Sequence, residues 1–338
     1  MTERVPGVSS GASTLLCVDS GTTNTRAWLV AGDRILACRE APRGARDTAR
    51  DGHDRALRAA LRDLIAGLRA TCDGHDVLPP RHIAAAGMIT SAQGLVEVPH
   101  VLAPAGIGEL AAGAREMLLP EVADLPFVFV PGVRTASIPG AAPGIGATDV
   151  MRGEETLCLG LLEQGRLAPG GALLSVGSHW KLIRIDEAGR VAWSLTSLAG
   201  EMIQAARGQT ILASAVPAGP LTEPDLPHLL EGMEEARRSG LARALFCVRL
   251  LELSGAVTPE GRLSFLVGAF IGADLDRLQA SGALAPAAPV TVAGDEKVGG
   301  AWGVALDRFG CPARSLTAAE VEAGSIAGLG AILEARAG

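Results

Sequence analysis

The chain has 338 residues, too many for one ordinary core and suited to two lobes of about 150 residues each. Hydrophobic residues make up 48%, aromatics only 3% and Tyr is absent, so Ala and Gly must fill a core of small aliphatic side chains. The net charge of −7 argues against nucleic acid or an anionic membrane as the main partner, and no run of 18 or more apolar residues occurs.

Residues 1–13 are small and polar and read as a loose tail with no secretory core. Thr14–Asp19 is an apolar run ending in an acid; Ser20-Gly21-Thr22-Thr23-Asn24 is a turn-rich patch. Arg26–Val30, the turn Ala31-Gly32-Asp33 and Ile35–Arg39 complete an antiparallel meander. Leu57, Leu61, Leu64, Ile65 and Leu68 recur at helical spacing and predict an amphipathic helix over 53–70. Strands are expected at 81–86 and 127–130, with Pro- and Gly-punctuated stretches between and after them, and a helix at 150–162. Residues 164–171 read as a linker.

After that linker the opening pattern returns. Ala172–Val176 is a strand, Gly177-Ser178-His179 a polar turn, Lys181–Ile185 a strand, Asp186-Glu187-Ala188-Gly189 a hairpin turn and Arg190–Leu195 a third strand. Helices are expected at about 200–215, 225–250 and 260–280, a strand at 290–293 and a closing helix from Ala318. One strand–turn–strand–hairpin–strand unit thus occurs twice, about 160 residues apart, and two such lobes would face each other across a cleft with one anion loop on each wall.

Chemistry can be assigned to these loops from residue types. Gly21 allows close backbone approach to an oxyanion, and Thr22, Thr23 and Asn24 add short donors. Asp19 is a carboxylate suited to hold Mg²⁺ through water. Gly177, Ser178 and His179 would grip phosphate from the opposite side, and Lys181 follows at strand alternation. Gly294 closes the late strand and, with Gly299 and Gly300, leaves room for a flat base. The bland alternatives are an Asx-type hairpin turn at Asp19 and a strand-to-helix turn at Gly294. Gly294 to Ala301 is no Walker loop, because Gly300 stands where Lys is needed; Gly144-Ile145-Gly146 fails G-x-G-x-x-G at Asp149. In Arg152-Gly153-Glu154-Glu155-Thr156, acids in a helix's first turn suit the dipole, and either carboxylate there could equally take a proton from an attacking hydroxyl. The six cysteines form no C-x-x-C pair, which argues against a zinc knuckle or a disulfide framework and fits a reducing cytoplasm.

Taken in order, Asp19-x-Gly21-Thr22-Thr23-Asn24-x-Arg26-Ala27-Trp28, Ala86-Gly87-Met88, Val130-Pro131-Gly132, Val150 to Thr156, Gly177-Ser178-His179-x-Lys181 and Gly200-Glu201 resemble the 2-dehydro-3-deoxygalactonokinase family from about residue 14 to the C-terminus. The Met-Arg-Gly-Glu-Glu-Thr string is the most specific part; Asp-x-Gly-Thr-Thr-Asn is shared more widely among actin-like sugar kinases. The resemblance implies an α/β, two-lobed actin-like (ribonuclease H-like) ATPase fold with a duplicated mixed sheet and an interlobe cleft. Its parts would be an N-terminal lobe (14–165) with the sugar site, a C-terminal lobe (166–317) with the nucleotide site, and a helix (318–338) returning to the first lobe. It implies transfer from MgATP to the 6-hydroxyl of 2-dehydro-3-deoxy-D-galactonate, within galactonate breakdown. Asp19 to Asn24 and Gly177 to His179 are then phosphate loops and Gly294 marks the base site. Glu154 or Glu155 is the base, and Arg26, Arg152, Lys181 and Arg249 are candidate cations for the substrate carboxylate.

The sequence departs from that family at Ser20 (commonly Trp), at Val176 to Leu182, at Met88 to Ser91 and at Leu198-Ala199 before Gly200. These positions bear on which sugar acid is taken, with 2-keto-3-deoxygluconate as the other candidate. Competing readings are a kinase-like sugar sensor, which lacks a DNA-reading element here, a phosphohydrolase using water, and a non-catalytic sugar-binding protein. The partners implied are a small sugar acid and ATP, with no nucleic acid and no membrane; a homodimer stays open.

Overall fold

The computed structural model describes residues 12–337 except 33, 73–76, 220 and 222. Ala12 and Ser13, expected within a loose tail over 1–13, belong to a strand; residues 1–11 of that expectation lie outside the described residues.

The chain opens with β1 (Ala12–Ser20), β2 (Thr25–Ala31) and β3 (Arg34–Ala41), the expected antiparallel meander. Short α1 (Ala45–Asp51) and amphipathic α2 (Arg55–Cys72) follow, the latter burying Leu57, Leu61, Leu64, Ile65 and Leu68. Then come β4 (Val77–Leu78), β5 (Ile83–Gly87), β6 (Val101–Leu102), α3 (Ile107–Gly113), β7 (Arg115–Leu118) and β8 (Pro126–Phe129). The first sheet runs β3-β2-β1-β5-β8-β7, with β4 beside β1; β5 is buried at every residue, as a parallel central strand must be.

A small sheet of β6, β9 (Val133–Thr135) and β10 (Asp149–Met151) comes next. The helix expected from Val150 therefore begins later, as α4 (Glu154–Glu163): Asp149–Met151 pairs with Val133–Thr135 as a strand, and Gly153 at φ +105° makes the turn into the helix.

The second sheet, β13-β12-β11-β14-β15, repeats the first. β11 (Ala172–Val176), β12 (Trp180–Ile185) and β13 (Val191–Ser197) form a meander, with β14 (Val290–Gly294) and β15 (Ala313–Ser315) added in parallel on the far side of β11. Between β13 and β14 lie α5 (Ala199–Gln209), a 3-10 turn (Ile211–Ser214), α6 (Leu226–Ser239), α7 (Leu241–Ser254) and α8 (Pro259–Ala280). The single helix expected over 225–250 is two, because Gly240, at φ +82°, breaks it. α9 (Glu296–Phe309) follows β14, capped by the Asp295 side chain on the backbone N–H groups of Lys297 and Val298, and α10 (Ala318–Ala337) closes the described chain.

One apolar core joins both sheets. Cys17, Trp28, Ala84 and Ala86 of the first and Leu173, Ile183 and Ala293 of the second share it with Leu157 and Leu161 of α4 and Leu329 and Ile332 of α10. α4 and α10 cross so closely that a Cβ on Gly160 or Gly328 would overlap the partner's backbone. That is where the abundance of glycine, set against scarce aromatics, is used. α10 is also tied to the first sheet by Trp28 Nε1, which donates to Glu322 at 2.6 Å.

Candidate active site

Both meanders present their polar turns to one region. In the first, Gly21 N–H donates to the Asn24 carbonyl at 2.9 Å, and Ser20 and Thr25 share a hydroxyl–hydroxyl hydrogen bond of 2.8 Å. The start of α1 grips the same turn: Ala45 and Arg46 N–H donate to the carbonyls of Gly21 and Thr22. Thr23 and Asn24 stay exposed at its tip. In the second, Gly177 and Ser178 are exposed, His179 is half-buried, and Glu201 N–H donates to the Ser178 carbonyl at 2.8 Å. Glu201 stands 3.6 Å from His179 Nε2 and 3.7 Å from the Arg46 guanidinium, so the supports of the two turns meet across the opening.

Asp19 lies at the floor, at the end of β1, beside Gly87 and Gly153. Burial, then the nearby Glu154 charge, push its carboxyl up to about 6 against the pull of Arg26. A carboxylate so short of positive neighbours suits a cation brought with a ligand. Among the described residues no cluster of three or more His, Cys, Asp or Glu forms a metal cage. A metal here would therefore take most of its ligands from phosphate and water, as Mg²⁺ commonly does.

The two glutamates at the head of α4 have different surroundings. Glu155 is fully buried and turned back on the helix start, where both its oxygens accept from Gly153 N–H, at 2.7 and 2.9 Å. Burial and the neighbouring Glu154 charge push its carboxyl up to about 7. Glu154 points the other way. Its Oε1 stands 3.0 Å from Lys181 Nζ of β12, and its Oε2 is buried with no hydrogen-bond partner among the described residues. Of the pair left open by the sequence, Glu154 alone keeps an acceptor free.

The four expected cations are distributed as follows. Lys181 is 6% exposed and spent on Glu154. Arg26 is exposed and paired with Glu40; Arg249 pairs with Glu252 on its own helix, and α7 packs on α6 and α8. Arg152 is half-buried and donates to Thr90 Oγ1 and the Val98 carbonyl, both at 2.8 Å, with His100 Nδ1 at 3.4 Å. No local signal marks Thr90, Val98 and His100 as its neighbours, since they are far away in the chain and unremarkable singly.

Gly294, at φ +124°, packs on Val176 at the root of the second turn; a side chain there would overlap the Val176 carbonyl. Beside it is an open groove of about 230 Å³ lined by Gly294, Asp295, Gly299, Gly300, Ser315 and Thr317. Gly299 is buried in the first turns of α9, and Gly300 leaves its side of the helix open.

Two meanders of one topology, each with a polar turn between its first two strands, are the mark of the actin-like ATPase and sugar-kinase fold. The ADPNP-bound activator of 2-hydroxyisocaproyl-CoA dehydratase from Clostridium difficile shares that fold at a TM-score of 0.52 and 11% identity, over 96% of each chain. The crystal structure of a candidate 2-dehydro-3-deoxygalactonokinase from Sinorhizobium meliloti superposes at a TM-score of 0.74 with 25% identity, over 95% of this chain and 98% of that one. The 2-dehydro-3-deoxygalactonokinase of Escherichia coli is 26% identical over 264 residues, 77% of this chain and 78% of that one. Residues 19–332 match the profile of the 2-keto-3-deoxy-galactonokinases, and the chain belongs to that family of sugar-acid kinases.

Proposed function

We propose that this protein transfers the γ-phosphoryl group of ATP to the 6-hydroxyl of 2-dehydro-3-deoxy-D-galactonate, in the cytoplasm, as a step of galactonate breakdown. The observation that carries the reading is Glu154: a carboxylate with one oxygen held by the buried Lys181 of β12 and the other free, its charge felt by Asp19 of β1. Membership of the family and the Escherichia coli relative support the substrate class.

In this reading residues 14–165 carry the sugar, 166–317 the nucleotide, and 318–338 return to the first lobe. The turn Gly21-Thr22-Thr23-Asn24 and the turn Gly177-Ser178-His179 hold the phosphates with backbone N–H groups and short donors. Gly294 and Gly300 leave space for the base. Asp19 is the residue that would hold Mg²⁺, and the metal would supply charge neutralisation on the phosphates. Glu154 Oε2 accepts the proton of the attacking hydroxyl; positioning and charge stabilisation contribute most of the acceleration. Approach of the two halves excludes water, which would otherwise compete as acceptor.

The test is ADP release coupled to NADH oxidation, with galactonate- and gluconate-derived 2-keto-3-deoxy acids side by side, and ³¹P–¹H correlation to locate the phosphate. The expected result is the highest kcat/KM with the galactonate compound and phosphate on O6. A preference for the gluconate compound corrects the substrate; ADP release no faster than the sugar-free blank with every acid overturns the reading.

A further inference from the structure

Resting on that kinase reading, we infer that Arg134, Arg152 and His100 form the subsite that receives the substrate's carboxylate, with the reacting hydroxyl at the opposite end on Glu154.

The inference starts from charge accounting. Lys181, Arg26 and Arg249 each have a carboxylate partner. Arg152 has none within ion-pair distance among the described residues: its two terminal nitrogens meet a hydroxyl, a carbonyl and an imidazole, all neutral. Glu155 and Glu97 act on this half-buried guanidinium only from beyond ion-pair distance, its direct contacts are neutral, and an incoming anion is the natural complement. His100 is the third neighbour. Burial, then Arg152, Arg134 and Lys181, press its pKa down to about 4, so at neutral pH it is an uncharged donor and acceptor beside the arginine.

Position agrees with charge. Gly132 draws the cluster together: a Cβ there would stand 2.6 Å from Arg152 Cγ and 2.9 Å from His100 Cδ2. Arg134 follows on β9, opposite Val150 of β10, exposed and, among the described residues, without an acidic partner within ion-pair distance. Lys181 reaches His100 electrostatically and touches Glu154 directly, so the cationic cluster borders the candidate base. Only Gly153 separates Arg152 from Glu154 in the chain. An extended six-carbon acid bound at both ends places its carboxylate on one group and its terminal hydroxyl on the other. A planar guanidinium can meet a carboxylate with two parallel N–H donors, which orients the acid better than a point charge does.

The test uses the full-length protein and three variants, Arg134→Met, His100→Gln and Arg152→Lys. Substrates are the 2-keto-3-deoxy acid and its C1 amide, which keeps the hydroxyls and removes the charge. The wild type is expected to favour the acid over the amide by roughly 10–100-fold in kcat/KM, the scale of a charge-assisted hydrogen bond. Arg134→Met and His100→Gln should raise KM for the acid, leave kcat and KM for ATP within about threefold, and shrink the acid-to-amide ratio towards one. Arg152→Lys keeps the charge but loses the fork, and should fall between wild type and Arg134→Met. An unchanged acid-to-amide ratio in Arg134→Met and His100→Gln overturns the subsite. Calorimetry with D-galactonate separates this from failure of the kinase reading: binding that weakens in Arg134→Met, without turnover in the wild type, keeps the subsite and removes the kinase. Equal D-galactonate binding by wild type and Arg134→Met, or none by the wild type, removes the subsite whatever the turnover.

Discussion

Lys181 Nζ and Glu154 Oε1 stand 3.0 Å apart, joining the middle strand of the second meander to the first residue of α4. The lysine is nearly sealed from water and the glutamate's side chain is 24% exposed. Cutting one partner from such a pair leaves a charge buried alone. Lys181→Met should therefore cost about 3 kcal/mol in unfolding free energy, read from urea melts. It should also lower kcat by more than tenfold while leaving KM for ATP nearly unchanged. A fall in affinity for the sugar acid alone would instead make Lys181 a substrate ligand.

The two glutamates at the head of α4 predict different outcomes. Glu154→Gln removes the free acceptor and leaves the buried Lys181 without its counter-charge, so it should lower kcat by roughly 10²–10⁴ and cost about 3 kcal/mol in stability. Glu155→Gln disturbs the cap on Gly153 and should act mainly on stability, by about 1 kcal/mol. Steady-state kinetics and thermal melts on both variants decide it; equal kcat losses would refute the division of roles.

Gly87 holds Asp19 in place by having no side chain. A Cβ there would come within 2.7 Å of Asp19 Oδ1 and 2.5 Å of the Ser20 carbonyl, and the residue sits at φ +85°. Gly87→Ala should cost roughly 2–3 kcal/mol in stability and displace the carboxylate. Activity should fall at least tenfold, and raising Mg²⁺ should recover part of it. Wild-type kinetics in this variant would show that Asp19 is not positioned by that contact.

Glu155 gives the chain a pH signature. Its carboxyl is pushed up from 4.5 to about 7, so the folded state prefers it protonated. The stability this contributes is complete below about pH 4.5 and is lost as pH rises through 7. Relative to Glu155→Gln, the wild type should lose up to about 3 kcal/mol between pH 5 and 8. His100 runs the other way: depressed from 6.5 to about 4, it contributes fully above 6.5 and its contribution is lost as pH falls through 4. Taking the difference between the two proteins cancels it. Parallel curves of unfolding free energy against pH would contradict the assignment.

The meanders are legible in the sequence because short apolar runs and polar turns are local signals, and their recurrence points to the architecture. The head of α4 is legible as a cluster of residues but not as an arrangement. Nothing local distinguishes Glu154 from Glu155; the difference arises because the turn at Gly153 sends one carboxylate back to its own helix and the other to β12. Lys181 falls on a strand by its neighbours alone, yet the partner that decides its use lies in another part of the fold. The boundary at Met151 is hidden because Val150 and Met151 are too short an apolar run to mark a strand by themselves, and only pairing with β9 sets them apart from α4. The break at Gly240 is marked by its residue type and masked by the helical periodicity on either side.

The glycine crossing of α4 with α10 has a consequence for how the molecule is made. The helix that presents Glu154 leans on a segment that the ribosome supplies long after it. A nascent polypeptide can already own both polar turns and still lack the buttress that sets Glu154 in place. On the role proposed for Glu154, a proteolytic cut before Ala318 should leave both polar turns present and the phosphoryl transfer gone.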